Sequence, residues 1–385
     1  MTEEITAIAP ENPELPSRPR LRWFSRFILW LNWFVIIGLV LSSMAPLVSP
    51  AVFWPLSFFG LIQPVFVLLN FIFLVYWSIR KRRQAFYSFA ILLISIPYDL
   101  RQFSFHFGTA GKAPAAAFTV MSYNVKLFDL YNWSGNKQTR ARMFSMLKSA
   151  SPDLLTLQEF FNQDSGAFRN LDSLKKLLHL PYAHVEYTIS LHKDDHWGVV
   201  TFSKFPIVNQ GKIVFNNRNN NICIYTDVII ENDTVRIYNM HLQSVSFGYA
   251  DYKFLDQLSK GEDADSEVES SKNILRRMKK ASVKRSRQAE SIAEHISKCH
   301  YPVIVCGDFN DTPVSYTYNT ISSKLCDAFL EKGSGFGKSF VNPFPLPRID
   351  YILHSEQFHV WEFKTIDEKN LSDHFPVICR MTMTK

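Results

Sequence analysis

Pro302-Val-Ile-Val-Cys306, followed at once by Gly307-Asp308-Phe309-Asn310-Asp311-Thr312-Pro313, is the stretch on which the fold turns. A short apolar run rich in β-branched residues and closed by a glycine predicts a buried strand. The residues behind it are good turn formers. Two acids and an amide placed directly after a buried strand also make a functional rim, because the strand fixes where they stand. The same arrangement recurs outward along the chain. Val120-Met-Ser-Tyr ends in Asn124, Leu154-Leu-Thr-Leu-Gln in Glu159, and Val235-Arg-Ile-Tyr-Asn-Met in His241. Arg348-Ile leads into Asp350, and Leu371-Ser into Asp373-His374 before a further apolar run. Taken singly, Asn124 is a turn cap, His241 a satisfied half-buried histidine and Glu159 a solvated strand end. Six strand ends carrying such groups predict a pocket at one rim of a sheet scaffold.

Strands are expected over 118–125, 153–157, 198–202, 222–230, 235–240, 302–306, 350–353 and 377–383, with helices over 137–150 and 267–298. Many strands with few helices between them favour sheet packed on sheet over a single doubly wound sheet. Oxygen donors without a Cys/His ligand pattern suit a hard cation, Mg²⁺ or Mn²⁺. With a group to activate water and an Asp–His pair, these residues match the needs of phosphoester hydrolysis. The five cysteines contain no CxxC pair and sit mostly among apolar neighbours, so they are expected to be buried thiols.

The first third of the chain is different. From Phe27 to Ile79 there is no charged residue, which is the composition of membrane sequence. The run divides at Ser49-Pro50 and Pro55 into expected spans 27–47 and 57–79, behind a tail at 1–26. A third uncharged run, Gln84 to Tyr98, is read as a short span at 84–100, an interfacial segment or a buried helix, for a transmembrane region of 27–100 and a linker at 101–117. Arg18, Arg20, Arg22 and Arg26 precede the pair and Arg80-Lys81-Arg82-Arg83 follow it, so both ends are expected in the cytoplasm. Three spans then put residues 118–385 on the non-cytoplasmic side of the cell membrane, and two would leave them inside. Residues 1–117 hold ten of the 42 basic and five of the 35 acidic residues, so the remainder is nearly neutral although the whole chain is at +7. A whole-surface polyanion footprint is not supported.

Read in order, Met121-Ser-Tyr-Asn-Val125, Leu157-Gln-Glu159, Gly198-Val-Val-Thr-Phe-Ser-Lys-Phe-Pro-Ile207, Asn239-Met-His-Leu242, Cys306-Gly-Asp-Phe-Asn310, Arg348-Ile-Asp-Tyr-Ile352 and Ser372-Asp-His-Phe-Pro376 resemble the endonuclease/exonuclease/phosphatase superfamily over 118–385. The N-terminal helices are similar to those of a membrane-anchored bacterial branch. The resemblance implies an α/β four-layer sandwich, two central β-sheets flanked by helices, here preceded by an N-terminal transmembrane helical region. It also implies phosphoester hydrolysis with Mg²⁺ or Mn²⁺. By resemblance Glu159 is the principal metal ligand, with Asn124 and Asp373 close by. Asp308 and Asn310 orient or activate the attacking water and hydrogen-bond the phosphate, His374 oriented by Asp350 contacts the phosphate, and His241 assists charge stabilisation or leaving-group protonation.

Substrate is less legible, since this fold serves nucleases, sphingomyelinases and phosphatases alike. Lys272–Arg287 carries eight basic residues and no acid; it is read either as a solvated helix face or as a contact for polyanions or anionic lipid. Residues 243–272, with four aromatics, are expected to form an insertion beside the site, and Gly333–Lys338 an ordinary glycine turn. The expected activity is a membrane-anchored phosphoester hydrolase for a lipid headgroup or other small phosphoester, in contact with the lipid bilayer. The alternatives are a tethered nuclease acting on DNA or RNA and a non-catalytic membrane scaffold. No protein partner is inferable.

Overall fold

The computed structural model describes residues 23–106, 113–215, 221–245, 267–341 and 348–384. Its N-terminal part holds α1 (Trp23–Met44), the short α2 (Pro50–Phe53) and α3 (Pro55–Leu61), α4 (Gln63–Ile79) and α5 (Ala85–Asp99). Side-chain hydrogen bonds align α4 antiparallel to both α1 and α5. Trp77 Nε1 and Ser88 both meet the Asn32 amide, at 3.0 and 2.9 Å, and Asn70 donates to the Val35 carbonyl at 3.2 Å. Further along, Gln63 bonds Asp99 and Gln102. These polar groups are buried between helices while Trp30, Phe34, Ile37, Ile79 and Phe86 are exposed on the outside, the reverse of a water-soluble bundle.

Among the described residues, α1 alone is long and apolar enough to cross a membrane, or there are two such units if α3 and α4 count as one. The expected helix 57–79 is thus broken: α3 and α4 meet at a 63° bend. The reason is a third proline. Pro50, Pro55 and Pro64 each stand in the first turn of a helix, where the missing N–H costs nothing, and each prevents the preceding helix from running through. The run at 84–100 forms a helix of 15 residues, α5.

The expected linker 101–117 is not structureless, since β1 (Ser104–Phe105) pairs antiparallel with β11 (Ser334–Gly335). The α/β part that follows comprises β2 (Phe118–Asn124), α6 (Thr139–Ala150), β3 (Leu154–Gln163), α7 (Asn170–Leu178), β4 (Tyr182–Leu191), β5 (Asp195–Ser203), β6 (Ile207–Ile213), β7 (Ile222–Ile230), β8 (Asp233–His241) and α8 (Glu267–Ser297). After it come β9 (Val303–Asp308), α9 (Tyr316–Ile321), β10 (Cys326–Asp327), α10 (Ala328–Lys332), β12 (Asp350–His354), β13 (Phe358–Thr365) and β14 (Val377–Met383).

Two six-stranded sheets, in orders β13-β14-β2-β3-β5-β4 and β10-β12-β9-β8-β7-β6, stack face to face. Val120, Leu154, Ile237, Ile304, Cys306, Ile352 and Val377 fill the space between them. Met143, Leu147 and Leu174 of α6 and α7 cover one outer face; Ala289, Ile292, Tyr318 and Ile321 of α8 and α9 cover the other. This is the expected four-layer sandwich. Three of its four edge strands, β4, β6 and β13, were not expected as strands in their own right, and the fourth, β10, is two residues long. Edge strands are covered on one side only, so their burial alternates with exposed residues and no continuous apolar run marks them. Of the cysteines, Cys223, Cys306 and Cys379 are buried as expected, whereas Cys299 and Cys326 are half-exposed.

Candidate active site

Both sheets contribute to one rim. β2 runs parallel to β3 and brings Asn124 opposite Gln158; β8 runs parallel to β9 and brings His241 opposite Asp308; β12 lies antiparallel to β9 with Asp350 opposite Asp308. Gln158 and Asn239 lock the two sheets together from behind, the Gln158 amide donating to Asn239 Oδ1 at 2.8 Å in a fully buried contact.

Glu159 is not at a strand end, as the apolar run ahead of it suggested. β3 continues to Gln163, and the pairing with β5 slips between Leu157 and Phe160. Glu159 sits in that bulge at φ +48°, a left-handed conformation that re-aims its side chain into the site. Gly307 has φ +139°, and a Cβ there would stand 2.1 Å from the Met240 carbonyl oxygen, so the tight pairing that places Asp308 beside His241 requires glycine. After Asn124 the chain runs through four successive left-handed residues, Lys126 to Asp129, with the Lys126 N–H donating to Asn124 Oδ1 at 3.1 Å.

The side chains converge. Asn124 Nδ2 donates to Glu159 Oε1 at 3.2 Å and to Asp308 Oδ2 at 3.1 Å. Asp308 is buried, with Oδ1 accepting from the Asn310 N–H at 2.8 Å and Oδ2 from Asn310 Nδ2 at 3.1 Å. His241 Nε2 lies 3.6 Å from Glu159 Oε1 and 3.7 Å from Asp308 Oδ2. His374 reaches Asp308 Oδ2 with Nε2 at 3.7 Å, while its Nδ1 bonds Asp350 Oδ2 at 2.9 Å. Lys126 pairs with Asp373 at 3.0 Å, both about one-third exposed at the mouth. Ser372 ties this corner to β2 by donating to the Asn124 carbonyl at 2.8 Å. All eight residues singled out from the sequence are therefore in one site.

The electrostatics are those of a tight carboxylate–imidazole cluster. Burial pushes the Asp308 carboxyl up, against the pull of His374 and His241. Burial disfavours charge on His374, but the Asp350 and Asp308 carboxylates outweigh it and raise that imidazole to about 10. Burial also acts to raise Asp373, and His374 and Lys126 together hold it below the ordinary carboxylate range.

A divalent cation fits this donor set. Glu159 and Asp308 turn carboxylate oxygens toward a single amide, and Asp350 Oδ1 is buried with no hydrogen-bond partner. Such oxygen-rich, anionic surroundings suit Mg²⁺ or Mn²⁺. Asp308, Asp350 and His374 also offer ligand atoms within 4.8 Å of one another, but His374 already bridges the two carboxylates there.

Sequence reasoning missed Lys126, an isolated lysine two residues past Asn124. It also missed Arg285, whose buried guanidinium bonds Asp311 at 3.1 Å and the Gln243 carbonyl at 2.7 Å, pinning the loops after β8 and β9. Within the basic run of α8, Arg285 is thus structural, while Lys272, Arg276, Arg277, Lys279 and Lys280 face solvent. Gly333–Lys338, expected as a glycine turn, instead contains β11 (Ser334–Gly335), with Gly335 and Gly337 at positive φ. Most of the expected insertion 243–272 lies outside the described residues.

Residues 121–374 match the profile of the Endonuclease/Exonuclease/phosphatase family. The chain belongs to this family. Membership makes it a phosphoesterase or nuclease, and so a hydrolase. Residues 25–101 match a domain of unknown function (DUF8431). A solved endonuclease/exonuclease/phosphatase structure from Bacteroides vulgatus is 16% identical with a TM-score of 0.50, covering 70% of this chain and 99% of that one. A mannosyl-6-phosphatase from Bacteroides thetaiotaomicron is 20% identical with a TM-score of 0.46, covering 69% and 100%. Sphingomyelinase C from Streptomyces griseocarneus is 19% identical with a TM-score of 0.46, covering 70% and 99%. No curated protein matches the chain.

Proposed function

We propose that this protein is a membrane-anchored, Mg²⁺- or Mn²⁺-dependent phosphoester hydrolase whose substrate is a lipid headgroup or another small phosphoester. The observation that carries the chemistry is the convergence of Asn124, Glu159, His241, Asp308, Asp350 and His374 on one rim of the two sheets. Glu159 would hold the cation with Asn124 and Asp373 beside it, and the bound cation supplies positive charge for a phosphoryl oxygen. Asp308, held by both amides of Asn310, orients the attacking water and takes its proton. His374, kept charged by Asp350, donates to the phosphoryl group as negative charge develops. His241 stands on the other side of Asp308 to protonate the leaving oxygen.

The anchoring reading, residues 27–100 in the bilayer and 118–385 catalytic, rests on the outward-facing apolar side chains of α1, α4 and α5. The side of the membrane is supported by which ends of the helices touch the catalytic domain. Ser49 bonds Glu290 at 3.1 Å, Gly60 abuts the Val314 carbonyl, and the Arg101 carbonyl accepts from Arg348 at 2.8 Å. Arg26 and Arg80–Arg83 lie at the opposite ends of α1, α4 and α5. With those basic residues in the cytoplasm, the catalytic domain lies outside it.

A nuclease is the second reading, favoured by the solvent-facing lysines and arginines of α8. Both readings are tested with the detergent-solubilised full chain in Mg²⁺ or EDTA against phospholipids, sugar phosphates, RNA and plasmid DNA, with Glu159→Ala as the blank. Mg²⁺-dependent release from a phospholipid or sugar phosphate, lost in the variant, supports the first. Cleavage of nucleic acid alone, falling steeply with salt, replaces it with the second. Activity that survives Glu159→Ala overturns the site.

A further inference from the structure

At the rim of the second sheet away from the active site, Cys326 Sγ, a Glu331 carboxylate oxygen and a His354 ring nitrogen lie within 4.8 Å of one another. β12 begins at Asp350 in the active site and ends at His354, four residues on, or about 13 Å along a strand. β10 pairs with it so that Cys326 stands opposite His354, and Glu331 comes from α10, the helix that follows β10 directly. Three elements thus bring a thiol, a carboxylate and an imidazole to one point.

The imidazole shows what that point is suited to. His354 Nδ1 lies 3.0 Å from the Ser355 carbonyl oxygen. A carbonyl only accepts, so Nδ1 donates there and Nε2 is the ring nitrogen turned toward Glu331. That Nε2 is completely buried and has no hydrogen-bond partner; Glu331 Oε1 lies 3.5 Å from it. A buried imidazole nitrogen facing a carboxylate needs something positive between them, its own proton or a cation. A carbonyl on the far nitrogen is also the arrangement that orients metal-ligating histidines.

We propose that Cys326, Glu331 and His354 form a second cation site, selective for a borderline divalent metal of the Zn²⁺ class. Thiolate and imidazole favour such an ion over Mg²⁺, in contrast to the oxygen donors of the active site. A thiolate, a carboxylate and a neutral imidazole together balance a double positive charge. Three protein ligands leave one tetrahedral position to water, on the side where Cys326 and Glu331 are half-exposed. Without the ion, burial and the Glu331 charge keep the Cys326 thiol protonated, so binding forms the sulfur–metal bond and releases that proton to solvent. The ion would clamp α10 to β10 and β12, next to the point where the Leu330 carbonyl accepts from Ser104 of β1.

The test uses the full chain in detergent, stripped with chelator and titrated with Co²⁺ under reducing conditions. The expected result is a thiolate-to-cobalt charge-transfer absorption that saturates at one equivalent and is displaced by Zn²⁺. The active site contains no thiol, so Glu159→Ala should leave the band intact, which separates this site from the catalytic one. Cys326→Ser should abolish it. Glu331→Gln, at a half-exposed position that tolerates the change, should keep the band and weaken Co²⁺ binding by about tenfold or more. No charge-transfer band in the unmodified protein, or a band that persists in Cys326→Ser, overturns the site; unchanged affinity in Glu331→Gln removes the carboxylate from it.

Discussion

Replacing Arg348 with methionine should destabilise the protein through a charge left behind rather than through lost packing. Arg348 is 1% exposed, with Nη1 on Asp327 Oδ2 at 2.5 Å, Nη2 on the Arg101 carbonyl at 2.8 Å and the guanidinium over the Phe329 ring at 4.4 Å. Methionine fills most of the same apolar volume, so the aromatic contacts largely survive. What does not survive is the counter-charge of Asp327, itself 6% exposed. Breaking a buried ion pair from one side costs about 3–5 kcal/mol. Asp327 still accepts from the Tyr318 hydroxyl at 2.8 Å and the Phe329 N–H at 3.0 Å, which places the cost at the lower end, about 3 kcal/mol. For a domain of this size that is roughly 6–12 °C in unfolding midpoint. The assay is thermal unfolding of the detergent-solubilised chain followed by near-ultraviolet circular dichroism. A second variant, Arg348→Met with Asp327→Asn, keeps an Oδ1 acceptor for the Phe329 N–H, places an NH2 that can donate to the Tyr318 hydroxyl oxygen where Oδ2 stood, and removes the stranded charge, so it should recover most of the loss. A double variant as unstable as the single one would refute the electrostatic reasoning.

Two further outcomes follow from the site. Asp350→Asn removes the carboxylate that holds His374 Nδ1 at 2.9 Å; loss of a charged hydrogen bond is worth about 1.5–3 kcal/mol, so kcat on the substrate found above should fall roughly ten- to 150-fold with little change in KM, and steady-state kinetics within twofold of the parent would sink the assigned role. Gly307→Ala forces a Cβ to 2.1 Å from the Met240 carbonyl at φ +139°; the expected cost is on the order of 3 kcal/mol, read as a lowered unfolding midpoint, and a midpoint within a degree or two of the parent would contradict the account of that strand pair.

The candidate site was legible because its residues stand at abrupt changes of composition. Asp308 follows Val303-Ile-Val-Cys, and His241 follows Val235-Arg-Ile-Tyr-Asn-Met; a buried strand that ends in a polar side chain advertises both the strand and the group. Glu159 was found by the same logic for a wrong reason, since its strand goes on past it and a bulge turns it inward. Lys126 and Arg285 carry no such mark. One is a single lysine in a loop, the other one of eight basic residues on a helix, and only their partners, Asp373 and Asp311, give them roles. The bend between α3 and α4 was within reach, for Pro64 is as plain a breaker as Pro50 and Pro55.

By itself, then, the sequence determined the properties that depend on near neighbours in the chain: an uncharged N-terminal third, strands marked by continuous apolar runs, and polar groups at their ends. It also carried the ordered series of motifs by which the family is identified. Tertiary structure alone decided what depends on long-range pairing. Edge strands β4, β6 and β13 exist because a neighbouring strand offers hydrogen bonds, not because their own residues demand burial. Cys326, Glu331 and His354 are spread over 29 positions of the chain with no ligand spacing to mark them, and they meet only because β10 pairs with β12 and α10 folds back across the pair.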